Sequence, residues 1–553
     1  MKVPYEFELL TLSSLEKVML SSYRPGNRYE RASMLKNERF HYQIAIKASF
    51  ESKVIVQAQI SSPIRGCISL FEVGHVPCEL TKLALNDPRD TNFISEQPGL
   101  FPDILEPIKP SGISLTSRQW KTLWVTVEST GHDFLKSGKH PIDISFLFHD
   151  KTIAKSHFEI TILDSELVPQ KLIYTNWFHL DSLMTYYHVD AFSKIHWELI
   201  ENYLNMAVSR GMNMVLTPCF TPPLDTAVGG ERPTVQLVDV SLSNGVYSFK
   251  FDKLDKYIKL SKKCGIKYFE IAHLFTQWGA KFAPKVMATV DDEYTRIFGW
   301  DTESTGERYT DFLKQFLPAI VSYLKEIDVY DSTYFHISDE PSLAHLESYK
   351  AASELVSNLV EGIKTFDALS DYEFFKKGLV KTPIPTTHSV DEFYENGVTP
   401  LWCYYCAFSS DFLTMRYIAA PSARNRIFGY QLYKYDIVGF LHWGYNFYYS
   451  QYSIYPIDPY RNTDSGGWCP PGDNYLVYPG SEGPISSIHF EVFADALQDL
   501  RALQTLEAKI GRSEVLKIID EGLEKPLSMY DYPKDDEWIL SIRQHVNNLI
   551  VER

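Results

Sequence analysis

The chain has 553 residues, 44% apolar, with a formal net charge of −16. That length predicts two or three domains rather than one core. The acidic balance argues against a nucleic-acid partner, which needs clustered Lys and Arg, and against anionic membrane surfaces. Aromatic residues reach 14%, with 35 Tyr and 33 Phe, a supply that suits a carbohydrate cleft as well as a core.

The N-terminus, MKVPYEFELL, lacks the apolar stretch and small-residue cleavage site of a secretory signal. No window approaches the ~18 uninterrupted apolar residues of a spanning helix. Seven cysteines, an odd and sparse set, fit a reducing compartment, so the expected location is the cytoplasm.

Residues 1–168 read as a β-sandwich domain. KVIVQAQIS (53–61), WKTLWVTVE (120–128), IDISFLF (142–148) and HFEITIL (157–163) alternate with period two, and turns such as SGKHP (137–141) separate them. After Leu167-Val168-Pro169 the pattern becomes strand-then-helix. KLIYTNWFHLD (171–181), MNMVLTPCF (212–220), IKYFEIAHLF (266–275), STYFHISDEP (332–341), GIKTFDAL (362–369), PLWCYYC (400–406) and DIVGFLHWGYNF (436–447) are strand candidates. Between them KIHWELIENYLNMAVSRG (194–211) carries Trp197, Ile200, Leu204 and Ala207 on one stripe, and DFLKQFLPAIVSYLKEI (311–327) and LAHLESYKAASELVSNLV (343–360) are helical in the same way. TVQLVDVSLSNGVYSFKFD (234–252) predicts an inserted hairpin around Asn244-Gly245. Near-continuous apolar strands alternating with helices predict a (β/α)8, TIM-like barrel over 169–510. A C-terminal helical segment, 511–553, is expected to form a solvated cap or a homo-oligomer contact. The fold class is thus multidomain, β plus α/β.

Barrel enzymes place their chemistry at the C-terminal ends of strands. HISDEP (336–341) puts Asp339 and Glu340 at such an end, just before Pro341. An Asp before Glu-Pro also fits a plain helix cap; the preceding YFHI favours a site by carrying the pair up from the barrel core. Retaining glycosidases need two carboxyls ~5 Å apart on opposite sides of the scissile bond. Neighbours on a strand point to opposite faces, so adjacent acids serve that arrangement poorly. They suit substrate-assisted hydrolysis, in which the 2-acetamido oxygen of the sugar attacks C1 and forms an oxazolinium ion. Glu340 is then the general acid and base, working in a dry pocket. Asp339 stays ionised and orients the acetamido N–H.

Trp402, Tyr404 and Tyr405 in LWCYYC and Trp443, Tyr445 and Asn446 in HWGYNF are the candidate sugar-binding residues at two further strand ends. Trp177 in WFH (177–179) and the LFTQW segment (274–278) are additions of the same kind. His336 fits either a pocket hydrogen bond or a satisfied core histidine. Asp225 and Asp367 are the candidate nucleophiles of a conventional glycosidase acting on a non-acetamido sugar. Asp464, in the Gly-rich stretch 462–468, fits a loop better than a hydroxyl contact. Cys403 and Cys406 form a CxxC without a second pair at zinc spacing. No metal or other cofactor is expected.

These segments resemble glycoside hydrolase family 123, whose catalytic region overlaps the family called domain of unknown function 4091. HISDEP, FLHWGYNFY (440–448), DPY (458–460) and GDNYLVYPGSEGPISSIHFE (472–491) carry the resemblance, which covers most of residues 1–510. It implies a retaining exo-β-N-acetylgalactosaminidase with a carbohydrate substrate, Asp339 at the acetamido-orienting position and Glu340 at the acid/base position. The chain departs from the family pattern at His489, Ala494, Ala496 and Leu500, which read as helix-packing positions. The competing expectations are the conventional glycosidase and a non-catalytic glycan-binding barrel.

Overall fold

The computed structural model describes residues 6–21, 25–50, 54–83, 87–129, 131, 135–407 and 412–553. Lys53 of the first expected strand and residues 1–5 of the N-terminal segment lie outside them.

The N-terminal region is two five-stranded sheets. One runs in the order Glu6–Ser13, Arg39–Ser49, Trp120–Glu128, Ile68–Cys78, Gly99–Pro107; the other runs Arg31–Leu35, Lys151–Leu163, Gly138–Phe148, Val54–Ser61, Ile113–Leu115. Period-two patterning sets the packing: Ile142, Ile144 and Phe146 line one face of their sheet beside Phe158, Ile160 and Ile162, and share a core with Ile44, Ile46, Leu123 and Val125 of the other sheet. SGKHP, expected as a turn, mostly extends the strand Gly138–Phe148 instead, because Gly138–Pro141 pair with Glu159–Ile162. Trp120–Glu128 is buried on both faces. Its second face meets helix Ile488–Ile510, where His41 packs against Trp124 (ring centroids 5.2 Å) and bonds Asp495 at 3.0 Å.

The rest is mixed α/β. Eight short strands, each three or four residues, run parallel in three ladders. Ile173–Asn176 and Trp402–Tyr404 flank Gly439–His442; Tyr268–Ile271 sits between Met214–Thr217 and Thr333–Phe335; Phe366–Ala368 pairs with Thr382–Ile384. Single parallel bridges, Phe335 to Thr365 and Thr386 to Tyr404, connect the ladders. Between 173–176 and 214–217 the link is one residue pair: the Asn213 N–H donates to the Tyr174 carbonyl at 3.1 Å, and Asn213 Oδ1 accepts from the Tyr174 N–H at 2.8 Å. The pairing therefore establishes a half-barrel sheet, and the continuous eight-stranded ladder expected from sequence is not seen. Strands this short register only one or two bonds with each neighbour.

Helix Lys194–Ser209 forms where its apolar stripe predicts, with Trp197, Ile200, Leu204 and Ala207 buried and Ser193 accepting the His196 N–H as N-cap. Asn244 and Gly245 make the expected tight turn with φ of 52° and 79°. A second hairpin, Val286–Val290 with Glu293–Phe298, completes a four-stranded insert that periodicity did not single out. The strand Thr382–Ile384 was likewise missed, since three residues beginning Thr-Pro leave no pattern.

The C-terminal helix Asp536–Glu552 is not a solvated cap. Arg543 pairs with Glu38 of the sandwich region and, at 2.7 Å, with Asp499; Asn547 bonds Ser33 at 3.0 Å. Ile539, Val546 and Ile550 are buried beside it. His489 bonds Asp103 at 2.7 Å and the Tyr475 carbonyl at 2.9 Å, so the departure from the family pattern at this position is a tie between helix 488–510 and the sandwich. No helix among the described residues is long and apolar enough to cross a membrane.

Candidate active site

Thr333–Phe335 is buried strand, and the chain stays extended and buried through Ser338, whose hydroxyl donates to the Thr276 carbonyl at 2.8 Å. Asp339 and Glu340 follow at the C-terminal end of this strand. Glu340 has φ +44°, a left-handed backbone unusual for a residue with a side chain. That single rotation breaks strand alternation, and both adjacent acids line one cleft. The cleft encloses ≈ 930 Å³ and opens to solvent. Three further lining residues share the strained backbone: Asp225 (φ 47°), Trp278 (φ 57°) and Tyr452 (φ 58°). Each costs about 1–3 kcal/mol and persists only where surrounding structure enforces it.

The walls come from strand ends. Tyr404 ends its strand and donates its hydroxyl to Glu340 Oε1 at 2.6 Å. Trp443 follows the strand Gly439–His442 and donates its indole N–H to Asp473 Oδ2 at 2.9 Å. Asp473 reaches that position because the HWGYN and GDNYL motifs pair as neighbours, with Asn446 opposite Tyr475 and the Leu476 N–H on the Tyr445 carbonyl at 2.9 Å. Gly444 permits it: a Cβ there would sit 2.5 Å from the Asp473 carbonyl oxygen. Buried Arg416 fastens the same corner through the Gly444 and Asp473 carbonyls and His442 Nδ1, at 2.6, 2.9 and 2.8 Å. Burial and Arg416 hold the His442 pKa down at about 4, so the imidazole is neutral and accepts that bond.

Beneath the acid pair lies a dry ionic floor. His336 bonds Glu270 at 2.6 Å and Asp367 at 3.2 Å, and all three side chains are fully buried. Burial opposes a charge on His336, but the bonds to Asp367 and Glu270 prevail and lift its pKa to about 9. Glu270 also accepts from the Trp177 indole at 2.6 Å, and the Tyr349 hydroxyl donates to Asp367. His273 stacks on His336 (4.1 Å, 11° between planes) and is held neutral by burial and by that cation. His273, His336 and Asp367 approach metal-ligand spacing. Parallel stacked rings cannot both aim a lone pair at one ion, and both His336 nitrogens are already engaged. Glu270, His336 and Asp367 form a hydrogen-bonded ion group, and the His273 ring stacks on it without a hydrogen bond of its own.

The cleft leaves part of Asp339 open to solvent, yet its carboxyl lies deep among protein groups. Burial first, then the Glu340 charge, push its pKa well above the carboxylate range, with His336 opposing. Two negative charges are therefore disfavoured on the Asp339–Glu340 pair.

Of the sequence-derived candidates, Asp339, Glu340, Trp177, Tyr404, Trp443 and, from the LFTQW segment, Gln277 and Trp278 line the cleft. Trp402, Tyr405, Tyr445, Asn446 and His336 do not. Trp402 lies lower on the same strand face, fully buried over Gly439 and against Phe366. Tyr405 points to the opposite face and packs on Phe428 and Phe440. Tyr445 is buried with its hydroxyl on the Tyr203 carbonyl at 2.8 Å. Asn446 is spent on the backbone of His179, at 2.9 and 3.0 Å. His336 is the buried ion-pair member rather than a cleft residue. Of the two alternative acids, Asp225 lines the cleft and Asp367 is sealed beneath it. Asp464 caps its own loop through the Gly467 N–H at 2.8 Å, while Trp468 of the same stretch reaches the cleft. Cys403 is buried and Cys406 lines the cleft, and neither is in a disulfide. Tyr452 and Asp473 went unassigned in the sequence, and Asp473 left a signal only as part of the GDNYLVYPG run.

The family profile of the glycoside hydrolase 123 catalytic domain matches residues 177–506. No curated protein matches the sequence. Among solved structures, the chain is similar to a family 123 glycoside hydrolase from Clostridium perfringens studied for glycolipid glycan hydrolysis. That match has a TM-score of 0.73 at 14% identity and covers 99% of this chain and 98% of that one. A Bacteroides ovatus family 5 xyloglucanase (TM-score 0.32, 9% identity, 85% and 98% covered) and a Bacteroides cellulosilyticus family 39 glycoside hydrolase (0.33, 10%, 81% and 83%) are too distant to bear on the argument. The profile spans more than half of the chain and includes both acids, the aromatic walls and the ionic floor: this protein is a glycoside hydrolase of family 123.

Proposed function

We propose that the protein is a retaining exo-glycosidase that removes terminal β-N-acetylhexosamine, with N-acetylgalactosamine as the favoured sugar, by substrate-assisted catalysis. The observation that carries this reading is the left-handed backbone of Glu340, which turns two adjacent acids into one cleft. Adjacent acids serve neighbouring atoms of one sugar, the glycosidic oxygen and the C2 acetamido group.

On this reading the acid pair carries one proton before the sugar binds. The acetamido N–H needs an acceptor, so on binding the proton sits on Glu340 and leaves Asp339 ionised. The acetamido oxygen then attacks C1. The C1–O bond breaks, the leaving oxygen takes the Glu340 proton, and an oxazolinium ion forms with its N–H on Asp339. Water adds to C1, gives a proton to Glu340 and reopens the ring with retention. Tyr404 holds Glu340 Oε1 in place, and the Trp177 and Trp443 indoles supply an apolar floor. The eight parallel strands are taken to close into a (β/α)8-type barrel over 169–510, with the β-sandwich over 1–168 and a helical segment over 511–553.

The conventional two-carboxylate alternative is weaker. Asp367 is sealed under His336, and burial holds the Asp225 pKa at about 7, where a nucleophile is half protonated. Chromogenic β-N-acetylgalactosaminide and β-N-acetylglucosaminide assays test the reading, together with a thiazoline mimic of the oxazolinium ion. Cleavage blocked competitively by the thiazoline supports it. Cleavage only of sugars without an acetamido group contradicts it.

A further inference from the structure

Asp225 stands apart among the cleft acids. It lies on the loop after Met214–Thr217, two strands from the acid pair, and the loop after the intervening strand supplies Gln277 and Trp278. Its backbone is clamped from three sides. The Asp225 N–H donates to Gln277 Oε1 at 2.6 Å, its carbonyl accepts from Ser453 Oγ at 2.8 Å, and Gln277 Nε2 donates to the Thr226 carbonyl at 3.2 Å. Arg232 bonds the Leu224 carbonyl at 3.1 Å while locked onto Asp181 by two bonds of 2.7 Å. All of this holds φ at +47°, strain without purpose unless the side chain must point where it does. Asp225 is half-buried and lines the cleft, while its Oδ2 is shut off from solvent with no hydrogen-bond partner. A carboxyl held with a costly unsatisfied oxygen on its buried side is tolerated for what its open side binds.

We propose that Asp225 is a specificity-determining residue that binds a ring hydroxyl of the sugar remote from C1, through the side of its carboxyl that is open to the cleft. This rests on the substrate-assisted reading only in placing C1 at Glu340. Burial dominates the Asp225 carboxyl and is opposed by Arg232 and the Tyr452 backbone N–H, which leaves its pKa at about 7. The group therefore donates or accepts as the hydroxyl requires. Among the described residues that line the cleft there is no Lys or Arg. A neutral hydroxyl, rather than a carboxylate or sulfate on the sugar, is what this corner accommodates.

The test compares wild type, Asp225→Ala and Asp225→Asn on the two chromogenic N-acetylhexosaminides, with the folded state checked by thermal melting. Loss of a hydrogen bond that a polar site is built to make costs about 10- to 100-fold in kcat/KM for Ala, and less for Asn. KM rises, and the ratio between the two epimers moves if the hydroxyl read is O4. 3-, 4- and 6-deoxy substrates identify it: the matching deoxy sugar loses activity on wild type and loses nothing further on Asp225→Ala. Equal kcat/KM within twofold for wild type and Asp225→Ala on every substrate overturns the proposal. If wild type cleaves neither acetamido sugar, the functional reading fails separately. Asp225 is then read from tryptophan-fluorescence titration with galactose and N-acetylgalactosamine. Weaker binding to Asp225→Ala sustains it; unchanged binding, or none to wild type, overturns it.

Discussion

The cleft and the seam between the sandwich and the C-terminal helices are both acid-rich and buried, and they treat their acids in opposite ways. At the centre of the seam the acids meet cations, whereas at its rim Asp536, beside Glu16, is pushed up to about 7 by burial and by that neighbour. Arg543 joins Glu38 and Asp499, Arg426 joins Asp499 at 2.8 Å, and Arg210 joins Glu491 at 2.7 Å. Burial alone would raise the Glu491 pKa, but Arg210, His41 and Arg39 bring it down to about 2. In the cleft, Asp339 and Asp225 are pushed the other way, with raised pKa values and a strained backbone at Asp225 and Glu340. Paired acids hold the regions together. Acids left without a cation, at a cost to stability, mark where the molecule works on something else.

The sharpest way to break this contrast is to exchange the two outcomes. Glu340→Gln is expected to lower kcat by about a thousandfold or more on a natural glycan, with a melting temperature equal to or above wild type. Arg543→Ala is expected to do the opposite. It strands Glu38 and Asp499 and costs about 3–5 kcal/mol in urea unfolding, while kcat at a permissive temperature stays within about twofold. An inactive Arg543→Ala of normal stability would dissolve the distinction.

Acidity gives two smaller tests. His336 has its pKa raised to about 9, so its contribution is complete below about 6.5 and is lost as pH rises through 9. Unfolding free energy should fall by up to about 3 kcal/mol between pH 7 and 10, and His336→Gln should flatten that limb. Asp225 has a raised acid pKa, so the folded state keeps a proton that the unfolded state has released between about pH 4 and 7. Stability should decline across that window. Asp225→Asn should recover about 1–2 kcal/mol at pH 7.5 and nothing at pH 4, the figure being discounted for the open cleft.

Much of this was legible in the sequence where a pattern repeats. Period two marked the strands 120–128 and 142–148, and the 194–209 stripe marked its helix, because burial of one face dictates each. The acid pair was legible as a motif. Its geometry was not: nothing in His-Ile-Ser-Asp-Glu-Pro announces φ +44° at Glu340. Tyr404 and Tyr405 show the same limit. Both are aromatic at a strand end, and only the facing decides that one bonds Glu340 while the other packs on Phe440. Tyr452 left no signal because its place in the cleft rests on loop backbone brought in from a distant part of the chain.

The central claim is that the sugar supplies its own nucleophile to the Asp339–Glu340 pair. The direct measurement is kcat/KM on chromogenic N-acetylgalactosaminides whose acetamido methyl carries zero, one, two or three fluorines. Each fluorine weakens the carbonyl oxygen as a nucleophile. The account predicts a steep, monotonic fall in rate along the series for wild type, with Asp339→Asn impaired throughout. A rate that is flat across the series would contradict it.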